Sequence, residues 1–281
     1  MRLAFRILNV FAADGGRFTG NPLCVFEDGS GLSAETMQAL ARQFNLSETT
    51  FVLPCDHATA AMRIFTPAME LPFAGHPTLG TAEVVRDLRQ TPAAITLSTQ
   101  AGIIPVRAQR NVWTLTAGPP RALSLETGRS IELVTELGLT AADLAAPPLW
   151  VSTGIQQLLV PLVSAQAVER ARAGAGLAAF ANDMGKVGIY LFSPVDADPV
   201  SVRFFFAKAG GALIEDPATG SACANLGGYV VATGKGLPLE RTLLQGATVA
   251  RPSRLLLSVD QSGTICVAGE VVEIGRGHVD I

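Results

Sequence analysis

The chain is poor in the features that mark several large classes of protein. Its four cysteines, Cys24, Cys55, Cys223 and Cys266, form no Cys-x-x-Cys pair and have no histidine at zinc-ligand spacing, which leaves reduced structural thiols and no metal site. Aromatic residues are 6% and charged residues 16% of the chain, with a formal net charge of −3. Scattered Lys and Arg and few rings to stack on bases leave nucleic acid out as a partner. No apolar run is long enough to span a bilayer. The N-terminus alternates like a strand and lacks a continuous apolar segment before a small-residue cleavage site, so the expected location is the cytoplasm. There is also no Gly-x-Ser-x-Gly elbow, no Walker loop and no dinucleotide fingerprint behind a strand. Nucleophilic hydrolysis, phosphoryl transfer and nicotinamide chemistry lose their support, and no cofactor is expected.

What is present is a repeat. Arg63, Phe65, Pro77, Gly80 and Ala82 are matched 140 positions later (203 − 63) by Arg203, Phe205, Pro217, Gly220 and Ala222. Half of the 281 residues is about the same length. A chain that repeats at half its length predicts two similar domains, placed at 1–118 and 127–281, with the connection near 118–126 and the last strand free to return to the first domain. At 48% hydrophobic, the chain can bury a core in each. A cleft between such domains is a favoured place for a small ligand. The residue before the matched proline is His76 in one copy and Asp216 in the other, so two ionisable groups are expected to converge.

Local pattern supplies the elements. Residues 4–11 alternate as a strand, and a Gly-, Asn- and Pro-bearing loop leads into the apolar strand Leu23 to Phe26. Ser33 is placed to cap a helix running to about Phe44. Strands follow at Thr49 to Leu53 and Met62 to Phe65, and a helix opens at His76-Pro77, where proline suits the first turn. The second half reads the same way: a strand at Val202 to Phe206, a loop over 209–215, and a helix opened by Asp216 as its N-cap and Pro217. That second helix is small or apolar almost all round, so protein must surround it. A further helix is read from Val168 to Ala181. The class is α+β, each half a curved, mainly antiparallel sheet around a central helix.

Chemistry gathers at the helix starts. Free N–H groups and the positive dipole end bind carboxylates, and the turns Gly75 to Gly80 and Glu215 to Ser221 have small side chains that let a ligand approach the backbone. A small carboxylate-bearing substrate fits such a pair of turns, with Thr219 and Ser221 as hydroxyl donors. The alternative is that the glycines only let each helix pack closely. His76 sits in an apolar neighbourhood, whereas His57 lies in a surface turn and His278 near the tail. Glu48 opens an apolar strand, where burial favours a general acid/base.

Five segments together resemble a known family. They are Gly20-Asn21-Pro22-Leu23, Leu46-Ser47-Glu48-Thr49, Gly75-His76-Pro77-Thr78-Leu79-Gly80, Ser152-Thr153-Gly154 and Glu215-Asp216-Pro217-Ala218-Thr219-Gly220-Ser221-Ala222. In order and over nearly the whole chain, they are similar to the phenazine-biosynthesis isomerase (PhzF-like) family. The resemblance implies a diaminopimelate epimerase-like fold, a cofactor-free homodimer, and isomerisation of the trans-2,3-dihydro-3-hydroxyanthranilate type. On that pattern Glu48 moves the proton, while His76, Asp216 and Ser221 position and polarise the substrate, with Asn21, Gly75, Thr219 and Gly220 in the binding set. Two departures bear on substrate contacts: Gln156-Gln157 stands where relatives often carry Pro-His, and Ala207 where proline is common. Two other readings use the same fold, a two-cysteine racemase or epimerase and a binding protein without turnover.

Overall fold

The structure, a computed structural model, describes residues 1–207 and 211–281. It divides into two compact units, residues 1–116 with 268–281 and residues 117–267. In the first unit β1 (Arg2–Val10), β2 (Asn21–Phe26), α1 (Ala34–Phe44), β3 (Glu48–Leu53), β4 (Ala60–Phe65), β5 (Glu70–Leu71), α2 (Gly75–Arg89), β6 (Ala94–Thr99), β7 (Gly102–Gln109) and β8 (Val112–Thr116) follow in order. The second holds β9 (Arg121–Ser124), α3 (Arg129–Glu136), β10 (Leu149–Ser152), β11 (Gln156–Pro161), α4 (Ala165–Arg170), β12 (Gly188–Phe192), β13 (Val200–Ala207), β14 (Leu213–Asp216), α5 (Gly220–Ala232), β15 (Leu239–Gln245) and β16 (Ser253–Val259). The long β17 (Ile265–Asp280) begins in the second unit and ends in the first.

The first unit is a closed barrel. β1 pairs antiparallel with both β2 and β17. Next come the parallel pair β2–β3, the antiparallel pair β3–β4 and the parallel pair β4–β6. Antiparallel β6–β7 and β7–β8 follow, and β8 pairs with β17 to close the ring. Parallel neighbours need a crossover, and α1 and α2 supply them. Ser33 caps α1 by accepting from the Thr36 N–H, and α1 covers the outer face of β2 and β3, where Cys24, Phe26, Phe51 and Phe65 are buried with Met37 and Leu40. α2 touches β1, β2, β3, β4, β6 and β8, so it runs inside the barrel. Gly80 makes that possible, because a Cβ there would stand 2.5 Å from Leu23 Cδ2 and 2.9 Å from Val10 Cγ2. Only its last turn turns polar, with Asp87, Leu88 and Arg89 exposed.

The second unit repeats this order in its strands β10 to β16. The parallel pair β11–β12 is bridged by α4 and the parallel pair β13–β15 by α5, with antiparallel β12–β13 and β15–β16 between and beside them. α5 is buried from Ala222 to Val230, as its lack of a polar stripe requires. The fold is α+β with two similar units, each a curved, mainly antiparallel sheet around a helix.

Three local expectations are corrected. First, α5 does not open at Asp216-Pro217. Residues 213–216 instead extend β14, pairing Asp216 with Phe204 and Glu215 with Phe205, and Thr219 takes the N-cap position. Residues 209 and 210 of the loop read before it lie outside the described residues. Second, the helix read from Val168 to Ala181 ends at Arg170 and resumes only as a 3-10 turn at 175–179. The Arg203 guanidinium takes the carbonyls of Val168, Glu169 and Ala171 at 3.1, 3.0 and 2.7 Å, and these would otherwise serve the next helical turn. Third, residues 121–124, within the stretch read as a connection, form β9 and pair with β10.

The repeat itself changes register. Thr49 pairs with Phe65 and Ile189 with Phe205, which keeps the offset of 140 through both strands. Beyond them the hairpins differ in length, since Phe65 pairs with Glu70 but Phe205 with Glu215. From there the offset is 145, as the helix starts at Gly75 and Gly220 show (220 − 75). His76 therefore corresponds to Ser221, and Asp216 corresponds to Leu71.

Candidate active site

Strand alternation sends Glu48, Thr50 and Val52 to one face of β3 and Thr49 and Phe51 to the other. Phe51 packs in the cluster under α1, so Glu48 and Thr50 face α2. Thr50 Oγ1 and Thr81 Oγ1 meet at 2.7 Å in the buried interior. One turn and a half earlier on α2, His76 Nε2 lies 3.3 Å from Glu48 Oε2, with the two side chains 7% and 16% exposed.

The imidazole is neutral at ordinary pH. Burial lowers its pKa from 6.5 to about 3, against a smaller upward pull from a hydrogen bond to the Pro22 backbone. Proline has no N–H, so His76 must be the donor in that bond, through the nitrogen not facing Glu48. The nitrogen that faces Glu48 then carries a lone pair. With that lone pair 3.3 Å from the carboxyl, a hydrogen bond between the two forms when the proton sits on Glu48.

The displaced pKa gives a testable pH dependence. Between about 3 and 6.5 the unfolded chain protonates His76 and the folded chain does not, so stability rises with pH through that window and is complete above it. The contribution is lost as pH falls, at about 1.4 kcal/mol per unit. Urea unfolding at about pH 7 and about pH 5 is expected to show a loss in the wild-type protein that shrinks markedly in His76→Gln. Equal losses in both would show that His76 is not held neutral.

Around this pair stand the other expected residues of the first unit. Asn21 is 1% exposed at the start of β2, one residue before the Pro22 carbonyl that holds His76. Gly75 is the first residue of α2, whose start has no side-chain cap and no acidic residue. A Cβ at Gly75 would meet nothing closer than Leu115 at 3.7 Å, so packing alone does not demand glycine there.

The second unit places Asp216, Thr219, Gly220 and Ser221 together at the start of α5. Thr219 Oγ1 donates to Asp216 Oδ2 at 2.5 Å and accepts from Gln245 Nε2 at 3.0 Å. Gln245 also receives the Thr219 N–H and donates to the Asp216 carbonyl, so it braces the turn. Ser221 accepts from Gln157 Nε2 at 3.0 Å. The strand position matching Glu48 is Gly188, beside the side chains of Phe204 and Gln157. Across the two copies, His76 is thus answered by Ser221 and Glu48 by glycine.

Sequence reasoning did not single out Asn225 or Gln245, and it marked Gln157 only as a departure bearing on substrate contacts. Each is a polar residue more than nine-tenths buried; Asn225 within an otherwise small and apolar helix was the signal available. The thiols near the helix starts are poorly placed to ionise. Cys223 is buried and desolvation pushes its thiol pKa far up, as it does for Cys24, which disfavours the thiolate a two-cysteine racemase needs. Among the described residues, no group of three or more His, Cys, Asp or Glu could hold a metal ion, and no helix is long and apolar enough to cross a membrane.

Comparison with known proteins adds a family. A model described as "Phenazine biosynthesis-like protein" matches residues 8–277. A Pasteurella multocida protein described as an uncharacterized isomerase is 40% identical over 98% of this chain and 93% of its own. The trans-2,3-dihydro-3-hydroxyanthranilate isomerase of Pseudomonas chlororaphis is 34% identical over 97% of this chain and 98% of its own. Among solved structures, a predicted epimerase from Pseudomonas aeruginosa superposes with a TM-score of 0.84 at 32% identity, covering 99% of both chains. A probable proline racemase from Agrobacterium radiobacter, at TM-score 0.64 and 13% identity over 99% of this chain and 93% of its own, shares the fold.

Proposed function

This chain belongs to the phenazine biosynthesis-like family, and from that membership we propose that it is a cofactor-independent isomerase that moves a proton on a small carboxylate-bearing substrate. That it is an isomerase follows from its relatives, several of which are trans-2,3-dihydro-3-hydroxyanthranilate isomerases at 33–34% identity. The mechanism and the substrate are the proposal. A cyclic, dihydroaromatic amino acid of the same kind is the substrate class it favours.

The observation that carries the reading is the Glu48–His76 contact at 3.3 Å. Glu48 gives its proton to one carbon and recovers one from another, so it serves as acid and then as base. His76, neutral and held by the Pro22 carbonyl, orients the carboxyl with its lone pair and accepts the hydrogen bond that keeps the acid form in place. The start of α2 at Gly75 and the start of α5 at Gly220 each offer N–H groups to an anionic group. Asp216, Thr219, Ser221 and Asn21 are carried as substrate-holding groups. Proton transfer of this kind asks for no electron sink beyond the substrate's own conjugation, hence no cofactor. A homodimer is part of the same proposal, and sedimentation equilibrium tests it.

Gly188 favours one acid/base over two. A racemase that takes a proton from one face and delivers it to the other uses a second group, and the second copy has no side chain at the position of Glu48. Incubation of the protein with trans-2,3-dihydro-3-hydroxyanthranilate in deuterated water is expected to give an isomerised product carrying deuterium at carbon. Recovery of the compound unlabelled and unchanged would sink the substrate assignment.

A further inference from the structure

Two buried side-chain amides in the second unit fix the direction of a hydrogen-bond chain that ends at Ser221. The Thr153 N–H can only donate, and it reaches Asn225 Oδ1 at 2.7 Å. The other side of the Asn225 amide is therefore its NH₂. It donates to the Ile155 carbonyl at 2.9 Å, a group that can only accept, and to Gln157 Oε1 at 2.8 Å. Both ends of Asn225 are thus set by backbone groups whose polarity is not in question. Gln157 Oε1 is then an acceptor, and the Gln157 NH₂ must be the group 3.0 Å from Ser221 Oγ. Ser221 accepts that bond and has one proton left to place elsewhere.

The amides lie where apolar side chains would otherwise pack. Asn225 is fully buried in α5 and Gln157 is 4% exposed in β11, whose next four residues are all buried. Burying two amides costs free energy unless their polar atoms are paired. The matching helix position in the first unit is Gly80, 145 residues earlier (225 − 80), so that unit has no such relay.

We infer that Gln157 is a positioning residue that holds the Ser221 hydroxyl as a donor toward the ligand, and thereby selects for a hydrogen-bond acceptor such as a carboxylate oxygen at that point. The inference rests on the reading of Ser221 as a substrate-holding group. Ser221 is half-buried as the second residue of α5, beside backbone N–H groups that also donate. With the amide in place, the hydroxyl proton is turned away from Gln157 at every pH, because neither amide titrates.

Two measurements decide it. Neutron diffraction from deuterium-exchanged crystals of the wild-type protein is expected to show the Gln157 ND₂ facing Ser221 Oγ and the Ser221 deuterium directed away from Gln157. The reverse amide orientation, or a Ser221 deuterium pointing at Gln157, overturns the inference whatever the substrate is. In kinetics with trans-2,3-dihydro-3-hydroxyanthranilate, Gln157→Met is expected to raise KM about tenfold with kcat nearly unchanged, the size of a lost hydrogen bond to a charged group. In a Ser221→Ala background the same change is expected to add nothing. An equal rise in both backgrounds, or none in either, shows that Gln157 does not act through Ser221. A wild-type protein inert toward that compound removes the proposed substrate, and the neutron map still decides the relay.

Discussion

Glu48→Gln is expected to fold with wild-type stability and to lose on the order of 10² to 10⁴ in turnover, the range a general acid/base supplies. The substitution isolates the proton from the shape. Glutamine has the volume of glutamate, and its NH₂ can donate to the His76 nitrogen that the carboxyl faces at 3.3 Å, so the contact survives. The amide has no proton to give to carbon and no basicity to take one back. Deuterium incorporation from solvent is expected to fall with turnover, since both run through the same carboxyl. A variant that keeps wild-type turnover would remove Glu48 from the mechanism. Glu48→Ala is a poorer test, because it also leaves the buried imidazole facing a gap.

Much of this was legible in the sequence, for reasons that can be stated. Ser33 and the helical spacing behind it predict α1 with its cap, and the structure agrees to the residue. The lack of a polar stripe in α5 predicts its burial. The repeat predicts two similar units, because Arg63 with Phe65 and Arg203 with Phe205 are fixed by the same strand pairing in each. The register beyond those strands was not legible. Proline, glycine and alanine are common in turns, and the matches Pro77 with Pro217 and Gly80 with Gly220 arise at an offset of 140, while the hairpin in the second copy is five residues longer. The pairings of Glu70 and Glu215 with the two phenylalanines and the helix starts reveal the offset of 145, and with it that His76 answers to Ser221 rather than Asp216. The end of α4 was hidden for a different reason. Gly174 and Gly176 weaken the read helix only beyond Arg170, and the Arg203 side chain that takes its carbonyls lies more than thirty residues away.

That same arginine gives the largest stability effect expected in the molecule. Arg203 is 8% exposed, bound to Glu215 through two bonds of 3.0 and 2.7 Å and to three carbonyls, with its guanidinium 4.8 Å from the centre of the Phe205 ring. Removing it takes the counter-charge from the Glu215 carboxylate, whose side chain is only 8% exposed and which keeps the Thr248 hydroxyl, and it takes a donor from each of the three carbonyls, of which Ala171 keeps a bond from Arg172. Breaking one partner of a buried pair costs about 3–5 kcal/mol, a large part of the roughly 5–15 kcal/mol that holds a typical domain together. Arg203→Met is therefore expected to unfold at much lower urea, and Arg203→Lys to recover little, because an ammonium cannot fork onto both carboxylate oxygens while serving the carbonyls. The first copy provides the control. Arg63 makes the same forked pair with Glu70 at 2.7 Å and lies over Phe65, but the two side chains are 27% and 23% exposed. Water can solvate what is left behind, and Arg63→Met is expected to cost about 1 kcal/mol or less. Equal losses at the two sites would mean that the motif acts through its aromatic contact alone. A far larger loss at Arg203 would place the difference in burial, and in β14, where Glu215 precedes the Asp216 that Thr219 holds at the start of α5.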